Sequence, residues 1–269
     1  MSFTLWFISL SSGGIYKYKV IEIDYYSGSG IYREIEDARI FKELLKDENE
    51  MDRVLAFMYK LLARAKELNK PLTREILNKG GEKIEFFPGV LDWFKQINQF
   101  GSEHGFEVQH YLISSGVTEI VEGCPIAKEF TKVFACQYFY DEQGNVIWPA
   151  RSINYTNKTQ FIFRINKGIL NVADDSINEV MEDDLRPVPY ENMIYIGDGL
   201  TDIPCMKVVK GKGGMSIAVY DKNKDVSFSL FKDDRVSAYC KADYTSGSEI
   251  DIIIKNFILT LQAKIDKNR

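Results

Sequence analysis

Two carboxylates four residues apart, Asp198 and Asp202, follow an apolar run over 193–196 that ends at Gly197. The run predicts a buried parallel strand, and the break at Gly197-Asp198-Gly199 predicts a loop at its carboxyl end. Mg²⁺ prefers oxygen ligands, and open α/β sheets bind ligands at the carboxyl ends of their strands. Asp198 and Asp202 are therefore candidate Mg²⁺ ligands. The competing interpretation is an ordinary Asp-Gly turn, with Asp202 as the N-cap of the next helix.

A second apolar run leads directly into Ser114, Ser115 and Gly116, and the sequence predicts a helix after them, over 118–130. Hydroxyl and backbone N–H groups at such a junction form an anion-binding site. The competing interpretation is a serine that only caps the helix. Lys158, near the start of another predicted helix, supplies a positive charge suited to a phosphate oxygen, although most lysines are simply solvated.

These strand ends need a scaffold that brings them together. Strand-like and helix-like segments alternate from about residue 86 to an amphipathic helix over 249–265. Such alternation predicts right-handed crossovers and a parallel sheet covered on both faces. The predicted fold class is therefore α/β, a doubly wound Rossmann-like parallel sheet. The nearly continuous apolar segment over 3–8 is typical of a central strand in that sheet.

The segment over 31–85 has a different pattern, with three helical stretches and no strand between them. Its apolar residues fall on one stripe at helical spacing, which is typical of core packing. We expect this segment to be a small helical cap inserted into a core domain that residues 1–30 and 86–269 form together.

In chain order, the strand before Ser114, then Lys158, then the YIGDGLTD strand end form a series that resembles the haloacid dehalogenase (HAD) superfamily of phosphatases and related hydrolases. The resemblance is greatest to the phosphoserine-phosphatase-like branch, whose helical cap lies between its first and second motifs. It covers about residues 86 to 255, and the helical segment before them fits as the cap. YIGDGLTD is the most specific part of the resemblance.

The resemblance implies a Mg²⁺-dependent hydrolase that acts on a small phosphorylated metabolite. Ser114 would hydrogen-bond the transferring phosphoryl group, and Lys158 would stabilise negative charge on it and on the nucleophile. Asp198 would ligate Mg²⁺, and Asp202 would ligate it or orient its waters. These roles suit phosphoryl transfer, which depends on positioning and charge neutralisation. The implied phosphate-binding residues are Ser114, Ser115, Gly116 and Lys158.

The first motif of the family, an apolar strand ending in Asp-x-Asp, has no counterpart in this sequence. In the family its first carboxylate attacks phosphorus and its second is the general acid and base. If 3–8 is the strand, Ser9 and Ser11 occupy the two positions, and serine cannot form the acyl phosphate. If 18–23 is the strand, Asp24 occupies the first position and a tyrosine the second. The continuous apolar character of 3–8 favours the first placement.

Two functional hypotheses follow from this pattern. The first is a Mg²⁺-dependent phosphatase, which the retained Ser114, Lys158, Asp198 and Asp202 favour. The second is a catalytically inactive relative that binds a phosphorylated ligand or a protein partner through the same cleft, which the missing first motif favours. A third explanation of the missing motif is an N-terminal segment that is not native, through an altered reading frame or start site.

Composition excludes several other classes of protein. The chain has 269 residues, 45% of them hydrophobic, which is enough for a large core. Its net charge of -5 and the lack of a basic stripe argue against nucleic acid as a partner. The apolar N-terminal stretch is shorter than the roughly 20 residues of a membrane span. Four cysteines without C-x-x-C spacing predict reduced thiols and a cytoplasmic location, and nothing indicates an oligomeric state.

Overall fold

The structure is a computed structural model that describes residues 3–10, by their backbone, and residues 51–82, 84–198 and 200–267 with their side chains, except the side chain of residue 64. Seven strands in these ranges form one sheet in the order β4-β3-β2-β1-β5-β6-β7. All neighbouring strands are parallel except β3 and β4, which form an antiparallel hairpin. The strands are β1 (Phe3–Leu10), β2 (Phe106–Val117), β3 (Lys132–Tyr140), β4 (Val146–Arg151), β5 (Met193–Gly197), β6 (Met215–Tyr220) and β7 (Ala238–Lys241).

Eight α-helices accompany the sheet within the described ranges. They are α1 (Arg53–Glu67), α2 (Arg74–Gly81), α3 (Val90–Glu103), α4 (Thr118–Glu122), α5 (Thr159–Lys167), α6 (Ile203–Gly211), α7 (Asp225–Lys232) and α8 (Glu249–Lys267). None of these helices is long and apolar enough to cross a membrane.

The sheet is buried on both faces, as β5 shows. All five residues of β5 are buried. Because successive side chains of a strand point to opposite faces, Met193 and Tyr195 join one hydrophobic cluster, and Ile194 and Ile196 join another. Helices α1, α2, α5, α6 and α7 contribute to the first cluster, and α3 and α8 to the second. The predicted doubly wound α/β fold is therefore confirmed.

Strand β1 lies in the middle of the sheet, between β2 and β5. Its position agrees with the continuous apolar character of residues 3–8, since a central parallel strand is covered on both faces. The alternative first strand, over 18–23, and Asp24 lie outside the described residues. Ser9 belongs to β1, and Ser11 is the first residue beyond it.

The described part of the predicted cap packs directly on the sheet. Met58 and Leu61 of α1 belong to the same hydrophobic cluster as Phe134 of β3, and the Tyr138 hydroxyl donates to the carbonyl of Met58 at 3.0 Å. These contacts place α1 against β3. A separate cap over 31–85 stays a prediction, because residues 31–50 are not among those described.

The helix predicted over 118–130 is wrong in length. Strand β2 continues through Ser114, Ser115 and Gly116 to Val117, and α4 has only five residues. The helix ends at Glu122, with Gly123 as its C-cap, shortly before Pro125. The residue before a proline is disfavoured in the helical region. The hydroxyl-bearing segment is thus the end of a strand followed by a single helical turn.

His110 of β2 is buried between aromatic rings, and its protonation should limit stability at low pH. Its ring centre lies 5.7 Å from that of Trp93 and 4.9 Å from that of Phe94, and its Nε2 lies 2.7 Å from Asn98 Oδ1. Burial lowers the pKa of His110 to about 3, whereas an unfolded histidine has a pKa of about 6.5. The unfolded chain therefore binds the extra proton first as the pH falls.

We expect the free energy of unfolding to fall by about 1.4 kcal/mol per pH unit below about pH 6.5 because of this residue. Denaturant unfolding between pH 5 and 7.5 measures the slope, and His110→Gln should reduce it by that amount. The matched control is His104→Gln, at the only other histidine. Parallel stability curves for the parent protein and His110→Gln would contradict the prediction.

Candidate functional site

Lys158 and Asp202 form a buried ion pair at the carboxyl end of β5. The Lys158 Nζ donates to Asp202 Oδ1 at 2.8 Å, and the side chains are 3% and 0% exposed. The Tyr195 hydroxyl donates to the same oxygen at 2.7 Å. Lys158 is the residue immediately before α5, and Asp202 is the residue immediately before α6. A fully buried carboxylate is thus compensated by one cation and one hydroxyl donor.

Gly197 allows this arrangement because it carries no side chain. A Cβ at Gly197 would lie 2.9 Å from both Cβ and Cγ of Asp202 and 2.8 Å from the Met206 methyl group. Asp202 therefore packs against the backbone of β5 immediately before Asp198. The Gly-Asp-x-x-x-Asp spacing is explained by this close approach, since the second carboxylate folds back over the strand end.

Ser114 and Asp198 are carried by, or follow directly, the two strands that flank β1. Ile8 of β1 pairs with Tyr111 on β2 and with Tyr195 on β5. Ser114 and Asp198 each lie three residues beyond those partners, in the same strand direction. Because neighbouring strands are about 4.8 Å apart, the backbones of β2 and β5 are separated by about 10 Å across β1.

Ser114 is fully buried, and its Oγ accepts a hydrogen bond from the Gly116 N–H at 2.9 Å. A hydroxyl that accepts one bond retains its own proton for donation to an anion. Ser115 and Gly116 are half-buried beside it. Asp198 is also half-buried. Together with burial and Cys240, its charge raises the pKa of the neighbouring Tyr244 above the usual value.

Cys136 of β3 connects the end of β2 to the segment that carries Lys158. Its Sγ donates to the Ser115 carbonyl at 3.3 Å and accepts from the Ile153 N–H at 3.2 Å. Burial raises the pKa of the thiol to about 11, so the thiol keeps the proton that it donates. Cys136 therefore helps to set the distance between the Ser114 strand end and Lys158.

The chain has few relatives that are similar in sequence and several known proteins that are similar in structure. No protein-family model matches this chain. An uncharacterized protein of Borreliella burgdorferi is 28% identical over 190 residues, which cover 63% of this chain and 65% of that protein. The match thus spans less than two thirds of the relative's length.

Solved structures resemble nearly the whole chain. A HAD family hydrolase from Salmonella enterica serovar Typhi has a TM-score of 0.56 at 17% identity, covering 94% of this chain and 71% of that one. A substrate-bound phosphoserine phosphatase has a TM-score of 0.53 at 17% identity, covering 95% and 99%. Cytosolic 5'-nucleotidase IIIB bound to cytidine has a TM-score of 0.52 at 13% identity, covering 97% and 87%.

The chain has the HAD-like fold. At these identities the likeness concerns the fold, so the roles of individual residues depend on this chain's own geometry.

In this HAD-like chain the structure joins Lys158 directly to Asp202 and places Asp198 and Ser114 on either side of the central strand. Asp202 Oδ1 accepts from Lys158 and from the Tyr195 hydroxyl, which differs from the simple pair of metal-facing carboxylates suggested by the sequence. Of the three candidates for the nucleophile position, Ser9 lies in β1, and Ser11 and Asp24 are outside the described residues.

Asp198 fits a Mg²⁺ ion as one oxygen ligand. Within the described ranges, no three His, Cys, Asp or Glu side chains lie close enough together to hold a metal ion. Mg²⁺ keeps several waters and is commonly bound through one or two carboxylates and substrate phosphates. A half-buried carboxylate at the end of β5 therefore suits that ion, with the remaining positions filled by water and phosphate.

Sequence reasoning missed Tyr195 and Asn154, which both support the site. A tyrosine in a fully buried strand signals a hydroxyl that needs a partner, and here the partner is Asp202. Asn154 begins the stretch Asn-Tyr-Thr-Asn, whose composition indicates an asparagine-based turn immediately before Lys158.

Proposed function

We propose that this chain hydrolyses a small phosphomonoester with Mg²⁺ as its metal ion. The observation that supports the proposal is the buried Lys158–Asp202 pair at the carboxyl end of β5, the strand that leads into Asp198. Replacing a buried ion pair by apolar residues of similar volume is often neutral or stabilising. The pair is thus poorly explained by stability, and a cation held at the carboxyl edge of the sheet suits an anionic ligand.

Each side chain would perform one part of the chemistry. Ser114 would donate its hydroxyl proton to a phosphoryl oxygen, and Lys158 would offset the negative charge of that group. Asp202 and Tyr195 would hold Lys158 in place and exclude alternative positions of its ammonium group. Asp198 would hold Mg²⁺, which when bound neutralises charge on the phosphoryl oxygens.

The attacking group is left unassigned. It would lie at or beyond the carboxyl end of β1, the strand between β2 and β5. Ser9, Ser11 and Asp24 are the candidates from the sequence, and none of their side chains is described. The cap over 31–85 would cover the ligand and select its leaving group, as part of the same proposal.

A second candidate function is binding of a phosphorylated ligand without turnover. A specific sequence observation favours it, since β1 is followed by Ser11-Ser12-Gly13-Gly14 and the first acidic residue of the chain is Glu22. A serine cannot form an acyl phosphate and does not bind Mg²⁺ as an anion. The same Ser114 and Lys158 would then hold the phosphate group.

An aryl phosphate assay with and without Mg²⁺ separates these functions. We expect Mg²⁺-dependent release of phosphate, reduced by about 100-fold or more in Asp198→Asn because charge stabilisation of the phosphoryl group is lost. Asp92→Asn, an exposed residue of α3, is the matched control and should retain activity.

Orthophosphate binding, measured by titration calorimetry, completes the test. Binding without turnover would replace the phosphatase by the second candidate. The absence of both turnover and binding would reject the two candidates together.

A further inference from the structure

Asn154 organises the turn that leads into Lys158. Its side-chain Oδ1 accepts from the Thr156 N–H at 2.8 Å, from the Thr156 hydroxyl at 2.6 Å and from the Asn157 N–H at 3.2 Å. Its carbonyl accepts from the Lys158 N–H at 3.1 Å. The backbone at Lys158 is therefore fixed by hydrogen bonds that converge on one residue.

The amide group of Asn154 also reaches out of this turn to Asp52. The Asn154 Nδ2 donates to Asp52 Oδ2 at 2.6 Å, although the two residues are 102 positions apart. Asp52 is at the same time the N-cap of α1. Its Oδ1 accepts from the Leu55 N–H at 2.8 Å, and its carbonyl accepts from the Ala56 N–H at 2.7 Å.

We infer that Asp52 and Asn154 are a positioning pair through which α1 sets the place of Lys158. The inference rests on the proposed function of Lys158 as a phosphate-binding residue. Both oxygens of Asp52 are used, one to hold the end of α1 and one to hold Asn154. A shift of α1 would therefore move the turn that begins at Asn154. The turn ends at Lys158, whose ammonium group is paired with Asp202.

This arrangement connects ligand selection to charge stabilisation. Helix α1 belongs to the segment predicted as a cap, whereas Lys158 belongs to the predicted core. A displacement of about 1 Å at a catalytic group can reduce turnover by about 100-fold. A ligand that moves α1 would thus alter the position of Lys158 without touching it.

An isosteric exchange of the two side chains tests the pair. Asp52→Asn keeps an oxygen to cap α1 and places an amide opposite the Asn154 amide, so that two donors face each other. Asn154→Asp keeps the oxygen that organises the turn and places a carboxylate opposite Asp52. The double variant Asp52→Asn/Asn154→Asp restores one donor and one acceptor, and it has the net charge of the parent protein.

The measurements are orthophosphate affinity by titration calorimetry and amide hydrogen exchange at Asn157 and Lys158, both on the full chain. We expect each single variant to weaken orthophosphate binding by about 5-fold or more and to accelerate exchange, and the double variant to recover most of both. Asp174→Asn is the matched control, because Asp174 accepts from the Ser176 N–H in another loop at 3.0 Å.

The inference would be overturned if both single variants bound orthophosphate as tightly as the parent protein. It would also be overturned if the double variant bound orthophosphate no more tightly than the weaker-binding single variant. A purely structural role would change the unfolding midpoint of the single variants but leave their affinity and exchange unchanged. If the parent protein binds no orthophosphate, the proposed function fails. Amide hydrogen exchange at Asn157 and Lys158 is then the only test of the positioning pair. Faster exchange in the single variants with recovery in the double variant would still support the coupling of α1 to this turn, and unchanged exchange would refute it.

Discussion

Lys158→Met is expected to lower the free energy of unfolding by about 3–5 kcal/mol, because it leaves the buried Asp202 carboxylate without its cation. Methionine retains most of the apolar stem of lysine, so the variant tests the charge with little change in packing. Asp202 is 0% exposed and cannot be solvated in the folded chain. Orthophosphate affinity should fall by about 100-fold, since truncating one member of a buried charged contact typically costs 2–5 kcal/mol.

The double variant Lys158→Met/Asp202→Asn separates the two effects. Removing both charges should recover most of the lost stability, because the Tyr195 hydroxyl still has an oxygen to which it can donate. Orthophosphate affinity should stay low, since the cation is absent in both variants. Denaturant unfolding and titration calorimetry measure the two quantities. An unchanged unfolding midpoint and an unchanged affinity in Lys158→Met would show that the pair contributes to neither.

Gly123→Ala is expected to destabilise the chain by about 3 kcal/mol or more, because α2 and α4 meet through their backbones at two glycines. A Cβ at Gly123 would lie 1.9 Å from the carbonyl oxygen of Asn78, and a Cβ at Gly81 would lie 2.1 Å from that of Ile120. Backbone atoms in packed helices cannot move aside as the end of a side chain can, so the helices must separate. Since α4 directly follows β2, the shift would also move the end of the strand that carries Ser114.

Gly211→Ala is the matched control for this prediction. Gly211 is the last residue of α6, and a Cβ there would meet no atom within 4 Å. Alanine at an unobstructed helical position is neutral or stabilising by about 1 kcal/mol. The changes in the free energy of unfolding that the two substitutions cause should therefore differ in sign or by several kcal/mol. Thermal and denaturant unfolding measure them. Equal stability of Gly123→Ala and the parent protein would mean that α2 and α4 do not approach as described.

Local patterns were sufficient for the fold class and for the residues that lie next to strand ends. The alternation of apolar strands and amphipathic helices predicted the doubly wound sheet, because each element type has its own periodicity. The continuous apolar run over 3–8 predicted a central strand, and β1 is the middle strand of seven. Asp198 was selected because it follows an apolar run and Lys158 because it lies near the start of a predicted helix, and their roles stay predictions.

Only the tertiary structure decided what Asp202 does. Its spacing from Asp198 is compatible with a second metal ligand, but the chain folds so that Lys158, 44 residues away, donates to it. The link from Asp52 to Asn154 spans 102 residues and was equally invisible in the sequence. Hydrogen bonds between distant segments depend on how the elements pack, and periodicity within one element carries no information about its partners across the sheet.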